Sequence, residues 1–158
     1  MRSEFNVIVG GLLWLILTCQ ISMTPVHAQD DIQFSREPRV IAEQLREAAA
    51  LGRNVLRDLE ALPPDDSIPI DAQLYERARR TYYLIRTARY GLEAARSRQT
   101  YQDPMLTLAF KRVDQAWELS RTPVDAAKSL PRAEYRAVSI RDLNTAVRLV
   151  NQALALLP

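Results

Sequence analysis

The sequence predicts an all-α protein, an antiparallel up-down-up-down four-helix bundle that follows an N-terminal signal peptide. Apolar residues recur every three or four positions through most of the chain, which is the period of a helix and not of a strand. Proline and polar segments divide this pattern into four arms of nearly equal length, and such arms with short connections favour antiparallel neighbours. The 158 residues are 47% hydrophobic and 25% charged, which suits one folded domain, or barely two.

The first 28 residues have the pattern of a secretory signal peptide. An uncharged apolar run from Val7 to Leu17 is too short to span a bilayer comfortably, because a span needs about 20 apolar residues. Val26 and Ala28 fit the small-residue pattern that precedes a signal-peptidase cut. We therefore expect cleavage after Ala28, which leaves a polar entry segment at residues 29–37 and a helical bundle at residues 38–158.

Two alternatives for the N-terminus stay open. The segment that ends at Cys19 resembles a bacterial lipobox, in which this cysteine would carry lipid, although Thr18 is a poor residue at the preceding position. Residues 5–23 would otherwise act as an uncleaved anchor. All three interpretations place the rest of the chain outside the cytoplasm, in the periplasm or the extracellular space. We expect no membrane span in the mature chain that cleavage after Ala28 leaves.

The first two arms cover residues 38–62 and 71–99. Pro38 suits a first helical turn, and Asp71 suits an N-cap. Gly52 lies on the first apolar seam, where it either admits another backbone or is simply tolerated. The two seams are Ile41, Leu45, Ala48, Gly52, Val55, Leu59 and Leu62, then Leu74, Ala78, Thr81, Ile85, Ala88, Leu92 and Ala95.

The last two arms cover residues 104–129 and 131–157. Thr122–Pro123 interrupts the third arm, but the apolar phase continues beyond it, which favours a kinked arm over two unrelated helices. The sequence leaves open whether Pro123 kinks or ends that helix. The seams are Leu106, Ala109, Phe110, Val113, Ala116, Trp117 and Ser120, then Ile140, Leu143, Val147, Val150, Leu154 and Leu157, widened by Ala146, Leu149, Ala153 and Leu156.

Residue usage argues against most cofactor and enzyme chemistry. Cys19 and His27 are the chain's only cysteine and histidine, and both precede the expected cleavage site. The mature chain then lacks the usual ligands of haem and zinc and the usual nucleophile and base. We expect no cofactor, no metal and no enzymatic activity. Three polar pairs could hold a cation or act in catalysis, but we interpret them as solvated surface groups. They are Asp65 with Asp66, Lys128 with Ser129, and Glu43 with Glu47.

The second arm carries the candidate binding surface. It holds seven arginines and three acidic residues, whereas the whole chain has a net charge of only +2. At 100° per residue, an arginine and tyrosine face separates from the Leu74–Ile85–Leu92 seam. Tyr82 lies between Arg79 and Arg86, so we expect it to hold both guanidinium planes. The candidate binding residues are Tyr75, Arg79, Tyr82, Arg86, Arg89 and Tyr90.

Tyrosine and arginine are the residue types that anchor protein interfaces, and arginine offers planar donors to carboxylates and phosphates. The leading expectation is an exported, non-enzymatic helical-bundle protein that binds a protein partner or acts as an accessory subunit. The alternative is a bundle that binds an anion or a small molecule. Nucleic acid is not expected, because the overall charge is small. Tyrosine rings covered by arginine stems could also be ordinary packing beside a seam.

Overall fold

The computed structural model describes residues 34–63, 70–98 and 103–158, and within these ranges all regular structure is helical. Four long helices pack against one another, which confirms the all-α four-helix prediction. The expected signal peptide, residues 29–33 of the entry segment and the Asp65–Asp66 pair lie outside the described residues. The elements are α1 (Pro38–Ala61), α2 (Ala72–Arg96), α3 (Pro104–Ser120), a short α4 (Thr122–Asp125), a 3₁₀ turn (Ala126–Lys128) and α5 (Arg132–Leu154).

Side chains and prolines set the helix starts, as the sequence predicts. The Asp71 carboxylate accepts a hydrogen bond from the Gln73 backbone N–H at 3.0 Å. The Asp103 carboxylate accepts from Met105 N–H at 2.8 Å, and Pro104 occupies the first turn of α3. These bonds satisfy N–H groups that have no partner within the helix.

At the C-terminal end of α1, backbone carbonyl groups accept hydrogen bonds from a side chain of α5. Arg136 donates from Nε to the Leu59 carbonyl at 3.0 Å and from its terminal nitrogen to the Glu60 carbonyl at 2.8 Å. The last carbonyls of a helix lack partners within it and carry a partial negative charge, so a guanidinium suits this position.

The predicted seams form the core. Their central positions are buried on all four long helices, because each seam faces the interior of the bundle. Some seam members at helix ends, the two large aromatic ones and Ile140 within α5 are only half-buried. They are Leu62, Ala95, Phe110, Trp117, Ile140, Leu154, Leu156 and Leu157.

Gly52 is a point of close approach between α1 and α5. A Cβ built at this position would lie 2.6 Å from Cγ2 of Val147 and 3.6 Å from Cγ2 of Thr81. Real Cβ atoms essentially never show the shorter separation. Of the two interpretations of this glycine, close packing is therefore the one that the structure supports.

The interruption at Pro123 is a break within one helical arm. Pro123 has no N–H to donate, so the regular hydrogen bonding of α3 ends at Ser120. Arg121 keeps helical dihedral angles (φ −73°, ψ −31°), and its carbonyl accepts from both Val124 and Asp125 N–H at 2.9 Å. The chain turns toward α5 only after Lys128, as the third arm predicts.

In the first half of α5, the buried positions are occupied by polar residues, which the sequence analysis did not predict to be buried. Arg132, Tyr135 and Ser139 continue the seam backwards from Leu143 at helical spacing, and all three are buried. The Tyr135 hydroxyl donates to the Pro123 carbonyl at 3.3 Å. These positions fit the helical period of the seam, but their polar side chains gave no signal of burial in the sequence.

Candidate functional site

The six candidate residues lie on α2 outside its buried seam. Arg79 is exposed, and the other five are half-buried. Leu74, Ile85 and Leu92, on the same helix, are almost completely buried. The arginine and tyrosine face is therefore separate from the apolar one, since helical side chains at other angles point to other neighbours.

The stacking partners of the arginines differ from the expected ones. The Arg79 guanidinium lies 5.3 Å from the centre of the Tyr83 ring, and that of Arg86 lies 5.7 Å from the centre of the Tyr90 ring. The expectation that Tyr82 holds both guanidinium planes is wrong. Each arginine instead uses the tyrosine one turn further along α2, because residues four apart share a helix face.

Arg79 also has an acidic neighbour. Glu76 lies one turn before it, with an oxygen 3.7 Å from the Arg79 guanidinium. The hydrogen bond with Tyr83, and then the charges of Tyr83 and Glu76, raise the pKa of Arg79. Its positive charge is thus partly compensated within α2.

Tyr82 faces α3. Its ring stacks against that of Trp117, with 6.5 Å between centroids and 23° between planes. The centroid of the neighbouring Tyr83 ring lies 5.4 Å from that of Tyr82. Tyr82 therefore connects the Arg79 end of the face to α3.

Arg89 is held between α2 and α3. Its Nε donates to Asp114 at 2.5 Å, and a terminal nitrogen donates to Glu93 at 3.1 Å. The guanidinium also lies 4.9 Å from the ring centre of Trp117 and 5.5 Å from that of Phe110. Partial burial acts to lower the pKa of Arg89, but the hydrogen bond and charge of Asp114 raise it overall. Two carboxylates neutralise this cation, so its main role is to join the helices.

Arg86 and Arg96 are stacked but not neutralised. The Arg96 guanidinium lies 4.4 Å from the centre of the Phe110 ring, and Arg86 stacks on Tyr90 as described above. Among the described residues, neither arginine forms an ion pair. The Nε of Arg86 is buried and has no hydrogen-bond partner there. These two cations remain available to an external anion.

The entry segment extends the face beyond α2. The Phe34 ring lies 6.3 Å from that of Tyr90, and the Arg36 guanidinium lies 5.9 Å from the Phe34 ring centre. Sequence reasoning missed both residues, since the only signal was one aromatic residue in a polar segment. We call the connected set the arginine–aromatic surface: Phe34, Arg36, Arg79, Tyr82, Tyr83, Arg86, Arg89, Tyr90, Arg96, Phe110 and Trp117.

Tyr75 stands apart from this surface. Its contact is with the 3₁₀ turn, where the Lys128 ammonium lies 6.0 Å from the ring centre. Within the described ranges, no ring contact joins Tyr75 to the other candidate residues. The structure thus connects five of the six predicted residues and separates the sixth, which is nearest the start of α2.

A shallow groove lies between α1 and α2. It encloses about 250 Å³, and its lining includes Gln44, Arg79, Arg80 and Tyr83. Gln44 Oε1 is buried there without a hydrogen-bond partner among the described residues. Arg80 is already paired with Glu47 of α1 at 2.6 Å.

Neither a cluster of metal ligands nor a membrane-spanning helix occurs within the described residues. They contain no group of three or more histidine, cysteine, aspartate or glutamate side chains placed to hold a metal ion. Nor does any described helix combine the length and the apolar character that crossing a membrane requires.

Comparison with known proteins does not supply a family for this chain. No family model matches it, and no curated protein or solved structure matches it significantly. The function of the arginine–aromatic surface must therefore follow from its own chemistry, which is a set of planar cations held on aromatic rings.

Proposed function

We propose that the chain is an exported, non-enzymatic helical-bundle protein that binds a protein partner, or serves as an accessory subunit, through the arginine–aromatic surface. One observation carries the proposal: Arg86 is stacked on Tyr90, and no carboxylate of the described residues neutralises it. Stacking orients the planar donors before a partner arrives, so less side-chain freedom is lost on binding. Arginine and tyrosine also dominate the energetically important positions of protein interfaces.

The proposal includes an antiparallel up-down-up-down topology. Asp58, late in α1, pairs with Arg77, early in α2, at 2.7 Å. Glu47, earlier in α1, pairs with Arg80, later in α2. The contacts between α2 and α3 follow the same rule, since a later position in one helix meets an earlier position in the other. Tyr82 contacts Trp117, and Arg89 contacts Asp114. Such an order supports the proposal that neighbouring helices run in opposite directions, with the arginine–aromatic surface along one side of them.

Export is supported by the apolar run and the small residues before the expected cut. Intact-mass measurement of the protein from its native host should show a chain that begins at Gln29. A chain that retains Met1, or one with lipid on Cys19, would instead support the anchored alternatives.

The groove between α1 and α2 supports the second candidate function, binding of an anion or a small molecule. Its volume of about 250 Å³ is below the range of about 300–1,000 Å³ that is usual for ligand sites. Both of its arginines also face carboxylates already, Arg79 through Glu76 and Arg80 through Glu47. The protein partner is therefore the better-supported candidate.

A pull-down from the native envelope fraction, with the tagged exported protein as bait, tests the proposed function. Replacing Arg79 and Arg86 together with alanine should weaken partner binding by about 2 kcal/mol or more, or about thirtyfold. Helix content should be unchanged, and stability should fall little, because the exposed pair of Arg79 with Glu76 contributes about 0–1 kcal/mol and stacking of Arg86 on Tyr90 contributes about 0.5–1 kcal/mol.

The matched control replaces Arg46 and Arg53 of α1. These arginines are exposed, also seven residues apart, and form no ring contact within the described ranges. Replacing these two arginines should leave partner binding unchanged, because the double replacement removes the same charge from another face of the bundle. Loss of stability with unchanged binding in the Arg79 and Arg86 variant would show that the arginine–aromatic surface serves packing alone.

A further inference from the structure

We propose that the partner presents an extended acidic segment, which lies across Arg36, Phe34, Tyr90 and Arg86 with carboxylates on the two arginines and an apolar residue over the two rings. This inference rests on the proposed function and identifies the chemistry of the partner. It also assigns the entry segment, outside the candidate face of α2, to the binding surface.

The four side chains form one continuous row. The Arg86 guanidinium lies 5.7 Å from the Tyr90 ring centre, Tyr90 lies 6.3 Å from Phe34, and Arg36 lies 5.9 Å from Phe34. A cation thus occupies each end of the row, and two aromatic rings occupy its middle. Phe34 is 38% exposed, and among the described residues only Met105 and Leu108 are more exposed large apolar side chains.

Charge on this row favours an acidic ligand. Among the described residues, neither Arg36 nor Arg86 forms an ion pair, whereas the adjacent Arg89 is neutralised by Asp114 and Glu93. Glu37 follows Arg36 in the chain, but its carboxylate is not within ion-pair distance of that guanidinium. Two planar cations without carboxylates match bidentate binding of carboxylates from another molecule.

The backbone of the entry segment is held directly against α2. A Cβ at Gly91 would collide with the Ser35 carbonyl oxygen, and it would lie 3.0 Å from Cγ1 of Ile41. The absence of a side chain at Gly91 therefore lets the segment approach closely and sets the position of Phe34 beside Tyr90. The row is arranged before binding, which reduces the entropy cost of association.

The dimensions and composition fit an acidic peptide better than a membrane or a nucleic acid. An extended peptide advances about 3.3 Å per residue, so about five or six residues cover the row. Surfaces that bind anionic membranes typically gather about four to eight basic residues, and nucleic-acid surfaces are broadly basic. This row has two cations that flank aromatic rings, and the neighbouring Arg79 and Arg89 already face carboxylates of this chain. The whole chain carries a net charge of only +2.

Fluorescence anisotropy with the full exported protein tests this inference. The probe is a labelled oligo-glutamate peptide with one central leucine. The comparison ligands are the oligo-glutamine analogue and phosphatidylglycerol vesicles. We expect the acidic peptide to bind, the neutral peptide to bind at least about tenfold more weakly, and added salt to weaken binding.

Three variants locate the binding site. Arg36→Gln and Arg86→Gln should each weaken binding of the acidic peptide by about fivefold or more, whereas Arg53→Gln on α1 should not. Phe34→Ala should weaken binding of the peptide with leucine more than that of oligo-glutamate without it. Circular dichroism of each variant checks that the helices are retained.

The outcomes separate this inference from the proposed function. If Arg53→Gln weakens binding as much as Arg36→Gln, or if vesicles bind and the peptide does not, the acidic-segment inference is overturned. If capture of the native partner requires Arg79 and Arg86 but is unaffected by Arg36→Gln and Phe34→Ala, the proposed function stands and this inference fails. If the row variants do not weaken binding of the acidic peptide, and the Arg79 and Arg86 double variant does not weaken capture of the native partner, both fail.

Discussion

Arg89 of α2 donates from Nε to the Asp114 carboxylate of α3 at 2.5 Å. The side chain of Arg89 is only 18% exposed, and the rings of Tyr90, Phe110 and Trp117 lie around its guanidinium. A residue that the sequence placed on a binding face therefore also joins two helices. The arginine–aromatic surface combines such neutralised, structural cations with others, such as Arg86, that form no ion pair within the described part of the chain.

Arg89→Ala should lower the free energy of unfolding by about 1–3 kcal/mol, because it removes charged hydrogen bonds and ring contacts together. Urea denaturation with an unchanged m-value would measure this loss. Arg80→Ala is the control, since its ion pair with Glu47 is more exposed and should contribute less than about 1 kcal/mol. Equal losses in the two variants would contradict the structural role of Arg89.

Gly52→Ala should destabilise the protein even though alanine is the better helix former. The gain in helix propensity is about 1 kcal/mol, but the new methyl group would meet Cγ2 of Val147, and overpacking costs about 1–3 kcal/mol. Thermal or urea unfolding would measure the net loss. Combining Gly52→Ala with Val147→Ala should cost less than the sum of the single changes, since the second makes room for the first. Strict additivity would show that the two sites do not meet.

Tyr135→Phe should cost about 1 kcal/mol, because the Pro123 carbonyl loses its hydrogen bond from the buried hydroxyl. Burial raises the pKa of Tyr135 above its ordinary value. The unfolded state therefore releases this proton first, and stability should fall as pH rises above about 10. The wild-type protein should lose more stability between about pH 9 and pH 11 than Tyr135→Phe. Parallel pH profiles would show that another group controls the alkaline loss.

Asp142→Asn should remove a contribution to the free energy of unfolding that depends on pH in the acidic range. The hydrogen bond from Arg141, at 2.7 Å, lowers the pKa of Asp142, and a hydrogen bond from Thr122, at 2.9 Å, acts in the same direction. The stability from this carboxylate is present above its unfolded pKa of about 4 and is lost as pH falls through its lower folded value. Unfolding measured from about pH 6 to pH 3 should therefore show a steeper loss in the wild type. An equally steep loss in Asp142→Asn would exclude this carboxylate as the cause.

Local sequence signals account for most of the helical framework. Asp71 and Asp103 cap the helices that follow them. Each cap is a hydrogen bond between residues close together in the chain, so the local sequence is enough to predict it. The seams predict which side of each helix is buried, since periodicity is a property of one helix. The same reasoning does not extend to Tyr135, whose buried hydroxyl donates to the Pro123 carbonyl on another element.

The sequence by itself determined the all-α class, the four arms, the core seams and the separation of an arginine and tyrosine face from the apolar side of α2. Only the tertiary structure decided which neighbours that face meets. It brought Trp117 to Tyr82 and Arg89, and it placed Phe34 beside Tyr90. The physical reason is that a helical period gives the angle of a side chain around its own axis, whereas contacts between helices depend on packing across the whole bundle.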